Sequence, residues 1–322
     1  MNKMTNSSQK RILLLMTLVI LGIVLYYAPI SQVLTPYALK ARTQKLVAYL
    51  LVAVGVGFSS ISFQTITGNR LLTPGILGLE SFYVLLQTLL YWFSWRLFGQ
   101  LTLHPILSFL ALIAIQSGLF LLLQPAFTYL SKQGVLLLLL VCMSLGTLFR
   151  SLSTFLQVTM DPNEYDQLQA RLFPSFQRAN MAILSISAII LILVLVLIWK
   201  KAAILDVWHL GRDNAVLLGI DVQREERSLL CLIVLIVAVL TALVGPLTYI
   251  GFLISNISYQ ISRTYRHQEL FILSSLIGFL VLLVGQFIVE RLFGYRLNIS
   301  MVIELLGGLL FFYLIFREKK SL

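Results

Sequence analysis

The chain has 322 residues, of which 59% are hydrophobic and 11% charged, with a formal net charge of +11 and a mean hydropathy of +0.92. A soluble domain carries roughly 25% charged residues, so the composition excludes an ordinary water-soluble domain and predicts a polytopic membrane protein. The positive charge does not point to nucleic acid, because Lys and Arg are scattered over the connections between apolar runs, as expected at membrane edges.

A helical span needs about 20 apolar residues. Taken in chain order, the apolar runs predict ten transmembrane helices, near residues 12–30, 46–66, 76–95, 105–124, 134–158, 180–199, 229–245, 247–262, 270–289 and 299–316. The expected fold class is therefore all-α, with one transmembrane unit over residues 1–322. The first run follows Lys10-Arg11 but lacks a small-x-small cleavage site, and Tyr26-Tyr27 resembles an interface belt, so it is read as a retained span and not a signal peptide. Cys142 and Cys231 lie in apolar runs without metal-ligand spacing and are read as small buried side chains. Residues 160–180 form a polar connection in which Asp161 caps a short helix with Pro162 at its first position. The Gly245-Pro246 pair leaves a very short turn between the seventh and eighth runs and is compatible with a partly inserted half-helix. With the N-terminus inside, 15 of the 24 Lys and Arg residues fall on the cytoplasmic side and 9 outside, the sign of the positive-inside rule.

The one long polar interruption is Lys200 to Ser228. It contains Leu210-Gly211-Arg212-Asp213-Asn214-Ala215-Val216-Leu217-Leu218-Gly219. This segment reads as two short turns, one capped by Asp206 and ending at Gly211, the next capped by Asp213 and ending at Gly219. Leu210, Val216 and Leu217 give the turns an apolar side, and Arg212 and Asn214 are left for polar contacts.

Little in the chain suggests catalysis. It has no phosphate-cradling Gly-x-x-x-x-Gly-Lys-Ser/Thr loop and no Gly-x-Ser-x-Gly elbow. His104, His209 and His267 lack ligand spacing and are read as interfacial or hydrogen-bonding residues. No metal site, cofactor or enzymatic activity is expected. Glu80 and Glu304 are the acids nearest to span interiors, both expected close to span ends. An ion-gradient-driven carrier would need acidic groups at the midplane, which makes it the alternative reading. The spans instead hold neutral polar residues such as Gln64, Gln157, Ser255 and Asn256.

Four segments together resemble the permease subunits of bacterial ABC importers for ferric siderophores and cobalamin, the FecCD-type family. They are Arg42-Thr43-Gln44-Lys45 followed by Gln64-Thr65, Asn69, Leu72, Pro74 and Leu77-Gly78; the Leu210–Gly219 pattern; Gly245-Pro246-Leu247-Thr248-Tyr249-Ile250-Gly251-Phe252 with Arg266-His267 beyond it; and Gly307 in the last apolar run. The family's Val-Pro-His is replaced by Ile254-Ser255-Asn256, and the Pro-x-Gly opening the last span by Asn298-Ile299-Ser300. With Asp161-Pro162-Asn163-Glu164, these departures resemble a sub-branch similar to ferric-anguibactin-type permeases.

The resemblance implies a cobalamin-importer-like permease fold in a bacterial cell membrane, moving a ferric siderophore by alternating access, with haem or cobalamin as other possible cargoes. It implies three kinds of protein partner: ATPase subunits that hydrolyse ATP, a second homologous permease (a heterodimer before a homodimer) and an extracytoplasmic binding protein. Leu210, Gly211, Arg212, Asp213, Ala215, Leu218 and Gly219 are implied to dock the ATPase. Arg42, Lys45 and Arg291 are implied to dock the binding protein, and Gln64, Gln157, Ser255 and Asn256 are nominated for the translocation path.

Overall fold

The structure, a computed structural model, describes residues 6–28, 35–98, 104–176, 180–262 and 264–318. Lys3, Arg178, Arg263, Lys319 and Lys320, which entered the charge balance, lie outside these residues, as do the last two positions of the first predicted span. All regular structure among the described residues is helical: α1 Asn6–Tyr27, α2 Pro36–Thr67, α3 Leu79–Phe98, α4 Pro105–Gln133, α5 Val135–Val158, α6 Pro162–Leu172, α7 Met181–Lys200, α8 Ala202–Trp208, α9 Arg212–Leu217, α10 Val222–Val244, α11 Ile250–Ile261, α12 His267–Arg291 and α13 Ile299–Glu318. A 3₁₀ turn, Pro74–Leu77, precedes α3.

Seven described helices, α1, α2, α4, α5, α7, α10 and α12, are long and apolar enough to cross a membrane, and Ile299–Tyr313 of α13 is a shorter apolar stretch. Of the ten predicted spans, three, α3, α11 and α13, fall outside these seven. The predicted span 247–262 is the 12-residue α11, which rises only about 18 Å at 1.5 Å per residue against a hydrocarbon core of about 30 Å. It is a half-helix. α3 opens on Glu80, which hydrogen-bonds Thr248, and carries Gln87, Thr88 and Arg96 along its 20 residues. Glu304 lies within α13, on its second turn.

The break that creates α11 is local in origin. Gly245 ends α10 at φ +104, a region that side chains avoid, and a Cβ there would lie 3.0 Å from Pro174 Cα. Pro246 follows without an N–H to continue the helix. At the other end of the bundle, α4 runs through Pro125 to Gln133, beyond the predicted end at 124, and Gly134 alone joins it to α5. Asp161 stands at the N-cap of α6 and Pro162 at its first position, as expected, although no side-chain bond from Asp161 caps the helix.

The 32-residue α2 is the central post, packed against α7, α10, α11 and α12. Its contact with α12 works because small residues let the backbones close. A Cβ on Gly57 would sit 2.6 Å from Ser274 Oγ, and one on Gly278 3.2 Å from Ala53 Cα. Phe58 stacks on Phe271 with ring centroids 4.2 Å apart, and the fully buried Tyr49 donates its hydroxyl to Gln286 Oε1 at 2.8 Å. Cys142 is buried as expected. Cys231 is only half-buried, with Gln124 Nε2 donating to its sulfur. α1 packs along α12, and Arg11 donates to Ile261 O at 2.8 Å.

Candidate coupling interface

α12 reaches both ends of the bundle. Its first residue, His267, meets α8, and its last turn meets the start of α2 through Glu290 and Arg42. The polar segment 200–228 therefore lies at one end of the bundle, and Arg42, Lys45 and Arg291 at the other.

The polar segment is a braced structure. Ala202, Leu205 and Trp208 are buried along α8, which packs on α2 and α12. Lys201 pairs with Glu225, and Arg212 Nη2 with Glu226 at 3.0 Å, tying both short helices to the first turns of α10. Asp221 caps α10 by accepting from Arg224 N at 3.1 Å. The turn out of α9 is a Schellman motif: Gly219 N–H donates to Val216 O at 2.9 Å and Ile220 N–H to Ala215 O at 3.1 Å, with Gly219 at φ +84.

Two expectations about this loop are corrected. Asp206 does not cap the first turn; it lies inside α8, where its carboxylate accepts from His267 N and Nδ1, both at 2.7 Å. Asp213 does not cap the second turn, because Gly211, at φ +106, holds the N-cap position and Asp213 is the second helical residue. A buried tertiary donor outcompetes a local cap for Asp206, and a glycine at the N-cap leaves Asp213 inside the helix. Arg212, expected to make polar contacts, makes one with Glu226.

The bracing leaves an apolar patch outside. Leu210, Val216 and Leu218 are more than half exposed, and Leu217 is 84% exposed, while Ala215 alone of α9 is buried against the loop. Asn214 is exposed as well and folds back on the loop, donating to Leu210 O at 2.7 Å. The seven predicted coupling residues are thus brought together with distinct roles: Leu210 and Leu218 on the outer face, Gly211 and Gly219 at the turns, Ala215 as seat, Arg212 as brace and Asp213 exposed beside them. His209 lies edge-on to His267, with ring centroids 6.3 Å apart. Its pKa is lowered, first by burial and then by neighbouring His267 and Arg70.

At the opposite end the three predicted docking cations are also together, but they are engaged within the chain. Arg42 Nη2 pairs with Glu290 at 2.7 Å and Nη1 donates to Tyr26 O, Arg291 donates to Ala28 O at 3.3 Å, and Lys45 Nζ lies over the Tyr295 ring. Burial, followed by the Glu290 charge, pushes the Tyr295 hydroxyl up to about 12.

The path residues divide. Gln64 Nε2 donates to Ser255 Oγ and to Arg70 O, each at 2.8 Å, and Asn256 Nδ2 reaches the same Arg70 O at 3.3 Å. Gln157 stands apart, donating to Thr88 and Ser153 between α3 and α5. Sequence reading missed the Asp206–His267 contact, because the two residues are 61 positions apart and neither has a spacing signature.

The FecCD transport family profile matches residues 9–317. The chain belongs to the FecCD transport family. Among curated proteins it is 35% identical over 321 residues, 99% of this chain and the whole of the relative, to the petrobactin import system permease protein YclO of Bacillus subtilis. It is also 35% identical to the petrobactin import system permease protein FatC of Bacillus anthracis, over 95% of this chain and 89% of that one. A solved structure described as an inward-facing conformation of a metal-chelate type ABC transporter superposes with a TM-score of 0.82 at 22% identity, covering 96% of this chain and 99% of that one. That likeness fixes the fold. Family membership and the apolar helices make this FecCD protein a multi-pass protein of the bacterial cell membrane.

Proposed function

We infer that this chain is the membrane permease subunit of an ATP-driven ABC importer whose cargo is a ferric siderophore. The observation that carries the reading is the braced loop 200–228, which presents Leu210, Val216, Leu217 and Leu218 to solvent at one end of an otherwise lipid-embedded bundle. An exposed apolar patch held rigid by ion pairs is a protein-binding surface. The FecCD match and full-length similarity to two petrobactin permeases support an ATPase as the partner and an iron chelate as the substrate.

In this reading the whole of 1–322 is one permease unit. Leu210, Leu217 and Leu218 enter a cleft of a separate ATPase subunit, and Gly211 and Gly219 set the shape of the loop. A second, homologous permease completes the path, and the heterodimer is the favoured pairing. Arg42, Lys45 and Arg291 shape the outer end that receives the binding protein, now through a network shared with Glu290. Gln64, Ser255 and Asn256 form the polar cluster of the path.

The test is co-purification and uptake. The membrane-embedded chain, expressed with its neighbouring ATPase and permease genes, is expected to retain the ATPase through the loop and to restore ferric siderophore uptake in a deficient strain. Loss of neither property on replacing residues 210–219 by a Gly-Ser linker would refute the reading.

A further inference from the structure

If the loop receives a push, something must carry it into the membrane. His267 is fully buried at the start of α12 and hydrogen-bonds two other helices, α8 and α2. Its backbone N–H and Nδ1 both meet Asp206 Oδ1 of α8 at 2.7 Å, and its Nε2 meets Thr65 Oγ1 of α2 at 2.8 Å. Thr65 in turn bonds the Tyr259 side chain of the half-helix α11. The neighbouring Gln64 donates to Ser255, also on α11.

The geometry works in either charge state of the imidazole. A neutral ring donates from Nδ1 to Asp206 and accepts the Thr65 hydroxyl at Nε2. A charged ring donates from both nitrogens, and the Thr65 hydroxyl then turns to Ile61 O at 2.9 Å. No other described contact joins α8, α12, α2 and α11 through side-chain bonds on so few residues. Apolar packing of Leu205 and Trp208 also seats α8 on the bundle. Such contacts are non-directional, whereas two donors on a single carboxylate oxygen fix α8 against the start of α12.

We propose that His267 is the positioning residue that transmits movement of the coupling loop to α2 and the half-helix α11, with Asp206 as its anchor on the loop and Thr65 as its contact in the membrane. The proposal rests on the permease reading given above. It makes the relation between ATP hydrolysis and transport depend on a buried histidine that touches neither the ATPase nor the cargo.

The experiment uses the complete transporter in proteoliposomes, with ferric petrobactin as the cargo probe. Retained ATPase subunit, ATP turnover and cargo imported per ATP are measured separately. His267→Leu is expected to keep the ATPase bound and hydrolysing within about twofold of the parent while cargo per ATP falls about tenfold, within the usual range of coupling between sites. Asp206→Asn and Thr65→Val, both near-isosteric, cover the case in which His267→Leu fails to fold. Each is expected to lower the same ratio, and the Asp206→Asn/Thr65→Val double variant to lose no more than the worse single, as for members of one chain. Unchanged cargo per ATP in assembled Asp206→Asn and Thr65→Val, with only the melting temperature lowered, overturns the proposal and leaves a structural role. If the parent chain retains no ATPase at all, the permease reading itself fails and this proposal with it.

Discussion

Leu217 is the sharpest place to separate folding from docking. It is 84% exposed on α9, so replacing it removes almost no contact within the chain, and Leu217→Asp is expected to change the melting temperature of the isolated permease negligibly, as for surface substitutions within about 0.5 kcal/mol. Fully burying a leucine contributes about 1.5–3 kcal/mol, and nearly all of that is still available when α9 enters a partner's cleft. At about 1.4 kcal/mol per decade, losing it weakens ATPase binding roughly 10- to 100-fold, and the cost of desolvating a carboxylate adds to this. The assay is affinity of the detergent-solubilised permease for the purified ATPase subunit, beside thermal unfolding of the permease alone. Leu205→Ala is the reverse control. Leu205 is fully buried on α8, so its truncation is expected to cost about 2–5 kcal/mol of stability. Unchanged ATPase affinity in Leu217→Asp would refute the assignment of α9 as the docking face.

Other outcomes follow from the same geometry. Gly219→Val forces a β-branched residue to φ +84 in the Schellman turn, a strain of about 1–3 kcal/mol, and should uncouple uptake from ATP hydrolysis, as should Gly211→Val at φ +106; undiminished uptake in a complemented strain would count against both. Arg42→Glu sets two carboxylates together at the outer end and should lower both thermal stability and salt-sensitive binding-protein docking, while Arg42→Glu with Glu290→Arg restores the stability; failure of the double variant to recover would show that the pair is not what holds this corner. The lowered pKa of His209 means that the folded state favours the neutral ring, so its contribution is complete above the ordinary histidine value of about 6.5 and is lost as pH falls through it. The permease should therefore melt lower at about pH 5.5 than at about pH 7.5, and His209→Gln should flatten that dependence.

Much of the architecture was legible because it is written locally. Apolar runs, seven of which are long spanning helices, and a Gly-Pro pair that stops α10 act through the residues themselves, whereas the Thr35-Pro36 start that lengthens α2 beyond the predicted 46–66 went unread. The Leu210–Gly219 pattern was legible for the same reason, since the turn at Gly219 closes on its own preceding helix. The apolar side formed by Leu210, Val216 and Leu217 was legible too, and the structure leaves all three exposed together with Leu218.

Partner choice was not legible. Asp206 and Asp213 both looked like caps, yet one is taken by a fully buried histidine 61 residues away and the other is displaced by a glycine. Arg212 was left for polar contacts with no partner named and pairs with Glu226, and Gln157 was grouped with Gln64 but belongs to the α3–α5 contact. The sequence by itself determined that this is a helical membrane protein with one polar loop offering apolar side chains, because hydrophobicity and turn chemistry are properties of short segments. Only the tertiary structure decided that the loop is fastened to α12 and α2 through His267, because a hydrogen bond is a matter of ångströms between groups that no spacing along the chain brings together.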